Sequence, residues 1–80
     1  MRVDKFLKNS RLIKRRTVAK EACEQGRVKV NDKNAKPGTE VEAGDIIVVE
    51  FGTRTIKAEV LDLKEHVTKD GAKEMYKIIE

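Results

Sequence analysis

Apolar side chains recur at helical spacing near the start of this chain. Val3, Phe6 and Leu7 occupy positions i, i+3 and i+4, so they share one face of a helix. The basic residues Arg2, Lys5 and Lys8 lie largely elsewhere on its surface. The pattern predicts a short amphipathic helix that packs through one face and carries positive charge on another.

A second apolar stripe follows after a basic segment. Thr17 suits the N-cap of a helix, and Gly26 suits the position just beyond its last turn. The stripe between them consists of Val18, Ala19, Ala22 and Cys23. We therefore expect a second helix that packs through this stripe.

The middle of the chain changes to the period of a strand. Val28 and Val30 alternate with polar residues, and residues 31–34 have turn chemistry. The run 46–51 is rich in β-branched residues and is bounded by glycines, which indicates a strand that is central or buried on both faces. Residues 55–61 alternate again, and the Gly52-Thr53 turn before them predicts a hairpin.

The signal weakens after Asp62. We expect a helical turn near Ala72 to Tyr76, while Tyr76 to Ile79 suits either a helix or an edge strand. The predicted fold class is α+β: two short N-terminal helices packed on a small, mainly antiparallel sheet, with a short C-terminal helix or strand.

Composition limits the classes of protein that fit. Eighty residues suit one small domain, and 39% apolar with 40% charged residues is compatible with folding when the apolar residues are periodic. The single Cys23 excludes an internal disulfide and suits a reducing compartment. Without a run long enough to span a membrane or a secretory signal, we expect a cytoplasmic protein with no membrane partner.

Charge divides the chain into two unlike parts. Residues 1–36 hold 12 Lys and Arg against 4 Asp and Glu, whereas residues 37–80 hold 6 against 10. The net charge of +4 therefore hides a strongly polarised molecule, and the usual partner of a concentrated positive field is a polyanion.

The densest cationic cluster lies between the two predicted helices. It contains Arg11, Lys14, Arg15 and Arg16, whose side chains suit phosphate oxygens or an unpaired base. A solvated helix face would explain these four alone equally well. Six further cations on the same third of the chain favour RNA contact: Arg2, Lys5, Lys8, Lys20, Arg27 and Lys29. Free N–H groups at the start of the second helix, near Thr17, would add a phosphate site.

The other side chains that could contribute to chemistry or binding are better explained by structural or surface roles. Asp4 is expected to orient an arginine such as Arg16 and not to touch RNA, since a carboxylate repels phosphate. Phe6 and Cys23 suit core packing, and His66 suits the surface. We expect no catalytic residues, no metal site and no cofactor, and hence a protein that is not an enzyme.

Several short segments of the chain form one ordered series: Arg2 to Leu7, Arg11-Leu12 through Arg16-Thr17, Ala19-Lys20, Gln25 to Asn31, and Val41 with Gly44-Asp45. Over roughly residues 1–51 this series resembles the S4 RNA-binding domain, also called the alpha-L motif. Departures are Val3 where leucine is usual, Arg15 where serine is common, and Asp32 where glycine often follows asparagine, which leaves the turn type open. In that family two helices and the following strands present a concave basic surface to structured RNA.

The whole chain, as one domain over residues 1–80, is similar to short stand-alone bacterial members of this family. In it, residues 52–80 would form a hairpin strand and a C-terminal extension. The resemblance implies a monomer that binds the large ribosomal subunit through 23S rRNA and peptidyl-tRNA. It also implies support for C-terminal alanine tailing of stalled chains with a partner, RqcH, in ribosome-associated quality control.

Three alternatives remain open. A heat-shock-type factor would recycle blocked large subunits without promoting tailing. An RNA-modifying enzyme is disfavoured, because 80 residues leave no catalytic domain beside the motif, and an accessory module for RNA modification is favoured less than the recycling factor. A membrane-surface or protein-only adaptor would bind independently of RNA.

Overall fold

The computed structural model describes residues 1–79 of the chain, in which it has three helices and five strands. In chain order they are α1 (Val3–Asn9), α2 (Arg16–Glu24), β1 (Val28–Val30), β2 (Lys33–Asn34), β3 (Ile46–Phe51), β4 (Arg54–Val60), α3 (Lys69–Ala72) and β5 (Tyr76–Ile78). The two N-terminal helices and the small sheet confirm the predicted α+β class.

All five strands form one antiparallel sheet in the spatial order β2-β1-β3-β4-β5. β3 is the central strand, as its β-branched run predicts, but its two faces are covered unequally. Ile47 and Val49 are buried, whereas Ile46 and Val48 are only partly so. The Gly52-Thr53 turn joins β3 to β4 as the predicted hairpin.

One face of the sheet and the two N-terminal helices enclose the core. From the helices come Val3, Phe6, Leu7, Ala19, Ala22 and Cys23; from the strands come Val28, Val30, Ile47, Val49 and Val60. Phe6 is fully buried, which confirms its predicted packing role. Because the strands alternate faces, polar residues between these positions point away from the helices.

The start of α2 differs from the prediction. The helix begins at Arg16, and Arg15 occupies the N-cap with extended backbone angles but no side-chain cap hydrogen bond. Thr17 therefore lies inside the first turn, and the N-cap predicted for it is wrong. The predicted stripe is also wrong at Val18, which is 47% exposed, because α2 faces the core through Ala19, Ala22 and Cys23.

The end of α2 is as predicted. Gly26 has φ +75°, and its N–H donates to the carbonyl of Cys23 at 3.1 Å while Arg27 N–H donates to Ala22 at 2.9 Å. This pair of bonds is a Schellman motif, which closes the helix and directs the chain into β1.

The turn at Asn31-Asp32 joins β1 to β2. Both residues have positive φ, 51° and 67°, with Val30 paired to Lys33. Positive φ at both central positions defines a type I′ turn, so the predicted turn is confirmed and its type is settled.

The C-terminal segment has both a helical turn and a strand. The helical turn is α3, which begins earlier than the predicted Ala72 because Thr68 acts as its N-cap: Thr68 Oγ1 accepts from Gly71 N–H at 3.0 Å. Tyr76 instead begins β5, which pairs with β4 at the sheet edge, so the edge-strand alternative is confirmed. None of the helices within residues 1–79 combines the length and apolar character that a bilayer crossing requires.

Candidate RNA-binding surface

A buried carboxylate joins two arginines at the contact between α1 and α2. Asp4 is 2% exposed, and its Oδ2 lies 3.3 Å from Arg2 Nη2 and 3.6 Å from Arg16 Nε. Its Oδ1 accepts the backbone N–H of Lys5 at 2.8 Å. The side chains of Arg2 and Arg16 remain 50% and 47% exposed. Asp4 therefore restricts both guanidinium groups while leaving part of each open to a ligand.

The two helices differ in what their N-termini offer an anion. In α1 the first N–H groups are occupied: Val3 donates to Thr39 O at 2.7 Å and Asp4 to Pro37 O at 3.4 Å. In α2 the N–H groups of Arg16, Thr17 and Val18 have no acceptor within residues 1–79. Unpaired N–H groups and the positive end of the helix dipole favour an anion at the start of α2.

Five further cations, which lie at the end of α1, in the segment before α2 and in α2 itself, are exposed and unpaired. Within residues 1–79 none of them lies within ion-pairing distance of a carboxylate: Lys8, Arg11, Lys14, Arg15 and Lys20. Exposed cations without a carboxylate partner are free to neutralise phosphates.

Two predicted site residues lie elsewhere. Arg27 follows the C-terminal end of α2, about 13 Å along the helix axis from its start, and lines a groove with Glu21 and Glu50. Lys29 points away from the helices, because it is the exposed residue between buried Val28 and Val30. The structure therefore separates these two cations from those around α2's first turn.

Lys5 pairs with a carboxylate other than that of Asp4. Its Nζ forms an ion pair with Glu65 Oε2, and this hydrogen bond holds the pKa of the exposed Glu65 carboxyl below its ordinary value. Lys5 thus links α1 to a segment 60 residues later in the chain.

The same segment reveals a positioning residue that sequence reasoning missed. Asn9 is 7% exposed, and its Nδ2 donates to the carbonyls of Lys64 and Glu65 at 3.1 and 3.2 Å. A polar residue at the end of a predicted helix gives no sign of such a distant partner. Asn9 and Lys5 together bring residues 64–66 against the cationic side of α1.

Cys23 is buried behind this surface. Burial first, and then the nearby carboxylates of Asp4 and Glu24, raise the pKa of its thiol to about 11. The thiol is thus protonated at neutral pH, which disfavours nucleophilic chemistry. His66 is exposed, as predicted. Within residues 1–79 no group of three His, Cys, Asp or Glu side chains is arranged to hold a metal ion.

The arrangement suits recognition of a folded polyanion. The aromatic rings offer little for base stacking, since Phe6 is fully buried and Phe51 and Tyr76 are packed against the core. Two oriented arginines, an open helix N-terminus and unpaired cations instead suit phosphate groups.

The sequence profile of a family described as the S4 domain matches residues 1–47. A protein of Listeria monocytogenes named RQC P-site tRNA stabilizing factor is 56% identical over 79 residues, which cover 99% of this chain and 86% of the relative. A Bacillus subtilis protein of the same name is 48% identical over 79 residues, covering 99% and 92%.

The fold also occurs in a solved structure. A chain from the trimeric structure of Vibrio cholerae heat shock protein 15 superposes with a TM-score of 0.91 at 28% identity, covering 99% of this chain and 81% of that one. The likeness includes the C-terminal segment beyond the 47 residues of the family match.

Proposed function

Because this chain belongs to the S4 domain family, we propose that it binds RNA of the large ribosomal subunit through the face centred on Asp4, Arg2 and Arg16. One observation carries this proposal: a buried carboxylate holds two half-exposed arginines beside the open N-terminus of α2. Arginines that are oriented before binding lose less side-chain entropy when they contact phosphate.

The proposed RNA partners are 23S rRNA and peptidyl-tRNA. Support comes from the relatives with 48% and 56% identity, whose name describes stabilisation of P-site tRNA. By extension, the protein would act as a monomer in the cytoplasm and support alanine tailing of stalled chains with RqcH. It would do so as a binding protein and not as an enzyme.

The direct test is co-sedimentation with separated ribosomal subunits. We expect the wild-type protein to pellet with large subunits and Arg16→Ala to bind about tenfold more weakly, since one charge-assisted contact is lost. Arg54→Ala is a matched control, because Arg54 is an exposed arginine on β4 outside the proposed face. Equal weakening by both substitutions, or wild-type binding by Arg16→Ala, would contradict the proposed face.

A second candidate function is recycling of blocked large subunits without tailing. The observation that favours it is the TM-score of 0.91 with heat shock protein 15. Cells that lack the protein distinguish the two functions. Loss of alanine tails from stalled chains supports the tailing role, whereas normal tails with accumulated blocked subunits support recycling.

A further inference from the structure

A cavity of about 260 Å³ lies beside the C-terminal end of α1. Its walls come from two distant parts of the chain: residues 8–14 on one side and residues 65–67 on the other. This volume is below that of most pockets for drug-sized ligands and suits a group as small as one phosphate or nucleotide.

The charge of the cavity favours an anion. Lys8, Arg11 and Lys14 line it, and none of the three has a carboxylate partner within the described chain. Glu65 also lines it and would repel an anion, but its carboxylate is paired with Lys5. His66 provides a further ring nitrogen at the wall.

The second wall is held in place by a buried side chain. Asn9 also lines the cavity, and both of its amide hydrogen bonds hold the backbone of residues 64 and 65. Since Asn9 is more than nine-tenths buried, its amide group needs these two partners, and the bonds fasten the partly exposed segment to α1.

The backbone at Arg11 has an unusual conformation for a residue other than glycine. Arg11 has φ +63° at the end of α1, where helices usually place glycine or asparagine. A non-glycine residue there costs about 1 kcal/mol. Glycine would end the helix at this position without the cost. The arginine side chain therefore offers a reason for arginine at this position.

We infer that this cavity binds one phosphate group of the RNA, so that residues 65–67 form part of the RNA-binding surface together with Lys8, Arg11 and Lys14. The inference rests on the proposed function and adds a second point of attachment. Lys8 and Asn9, which line the cavity, follow Asp4 by four and five residues, or about 6 to 8 Å along the axis of α1.

Chemical-shift mapping of the isotope-labelled full chain tests this directly. A tRNA transcript, adenosine monophosphate and inorganic phosphate are titrated separately. With the tRNA we expect shifts at the Asn9 side-chain amide and at the backbone of residues 65–67, in addition to Arg2 and Arg16. Shifts at 65–67 with adenosine monophosphate or inorganic phosphate, but none with tRNA, would assign the cavity to a free phosphate ligand and overturn the RNA assignment.

The other outcomes separate this inference from the proposed function. Shifts at Arg2 and Arg16 with tRNA, but none at 65–67, would overturn the second attachment point and leave the proposed face intact. If neither region shifts with tRNA or with isolated large-subunit RNA, both fail.

A charge-matched pair of variants gives an independent measurement. Lys14→Gln is expected to weaken tRNA binding about fivefold and to make the salt dependence shallower by about one unit of slope. Lys57→Gln removes the same charge from the sheet face opposite the helices and is expected to have less than a twofold effect. Equal losses of tRNA affinity in the two variants would show that only the overall positive charge attracts the RNA and that no phosphate binds in the cavity.

Discussion

The carboxylate of Asp4 lies 3.6 Å from Nε of Arg16 across the contact between α1 and α2. This ion pair is asymmetric, since the carboxylate side chain is 3% exposed and the arginine side chain 47%. The buried partner positions the exposed one, and because one carboxylate contacts two arginines, the three groups together keep a net positive charge that favours a phosphate ligand.

Asp4→Asn is expected to weaken RNA binding although it makes the protein more positive. The amide keeps an acceptor for the Lys5 N–H but no longer orients two arginines, which costs about threefold to tenfold in affinity. Filter binding to a tRNA transcript measures the effect. Glu42→Gln is the control, because it removes one exposed negative charge elsewhere. Tighter binding by Asp4→Asn would show that net charge outweighs orientation.

Removal of both arginines is expected to destabilise the fold more than the sum of single removals. After Arg2→Ala or Arg16→Ala alone, Asp4 keeps one cation, so the thermal midpoint should stay nearly unchanged. The double variant leaves a buried carboxylate with neither arginine, which costs about 2 to 3 kcal/mol. The cost is smaller than for a fully buried ion pair because about half of each arginine side chain is exposed to water. Urea denaturation of all four proteins measures the coupling, and additive losses would contradict it.

RNA affinity is expected to depend steeply on salt. If about six cations contact phosphates, log affinity falls with log salt at a slope of about −4 to −5. Affinity then drops by about several hundredfold to a thousandfold between 50 and 200 mM salt. A titration series at four salt concentrations measures the slope, and a slope near zero would rule out an electrostatic mechanism.

Arg11→Gly is expected to stabilise the protein while weakening RNA binding. Glycine adopts the positive φ of this position without strain, whereas Arg11→Ala removes the same side chain and keeps the strain. In thermal denaturation the free energy of unfolding of the glycine variant should therefore be about 1 kcal/mol higher than that of the alanine variant. Both should lose RNA affinity equally. Equal stability of the two variants would argue against stored backbone strain.

Stability is expected to fall as pH rises from about 9 to about 11, because burial raises the pKa of the Cys23 thiol to about 11 from 9.0. The unfolded chain loses the thiol proton first, so the folded state is disfavoured by about 2 kcal/mol once both pKa values are passed. Urea titrations across this range measure the loss, and Cys23→Ala should show a correspondingly flatter profile. Labelling by iodoacetamide at pH 8 should be about a hundredfold slower in the folded protein than in urea.

Local signals in the sequence were enough to predict much of the fold. The spacing of Val3, Phe6 and Leu7 predicts α1, and Gly26 predicts the end of α2, because each reflects a constraint acting within one helical turn. The predicted start of α2 was wrong by two residues because Arg15, and not Thr17, caps the helix, and it does so through backbone conformation alone. No side-chain signal marks such a cap.

The candidate surface was less predictable. The excess of cations is visible in the composition, but the composition does not show which cations share a surface. Lys29, for example, faces away from the helices because the side chains of β1 alternate between the two faces of the sheet. The approach of residues 64–66 to α1 depends on Asn9 and Lys5, whose partners lie 55 or more positions away. Contacts at that separation leave no periodic trace in a single sequence.

The central position of β3 has a consequence for evolution and for protein engineering. The family match ends at residue 47, inside β3, yet β4 completes the pairing of that strand. A fragment cut where the family match ends would keep only the first two residues of β3 and would lose β4, so β1 would be left with an unpaired edge that invites aggregation. The limit of the family match is therefore not a limit of autonomous folding, and grafts of this RNA-binding motif should carry all of β3 and β4 with it.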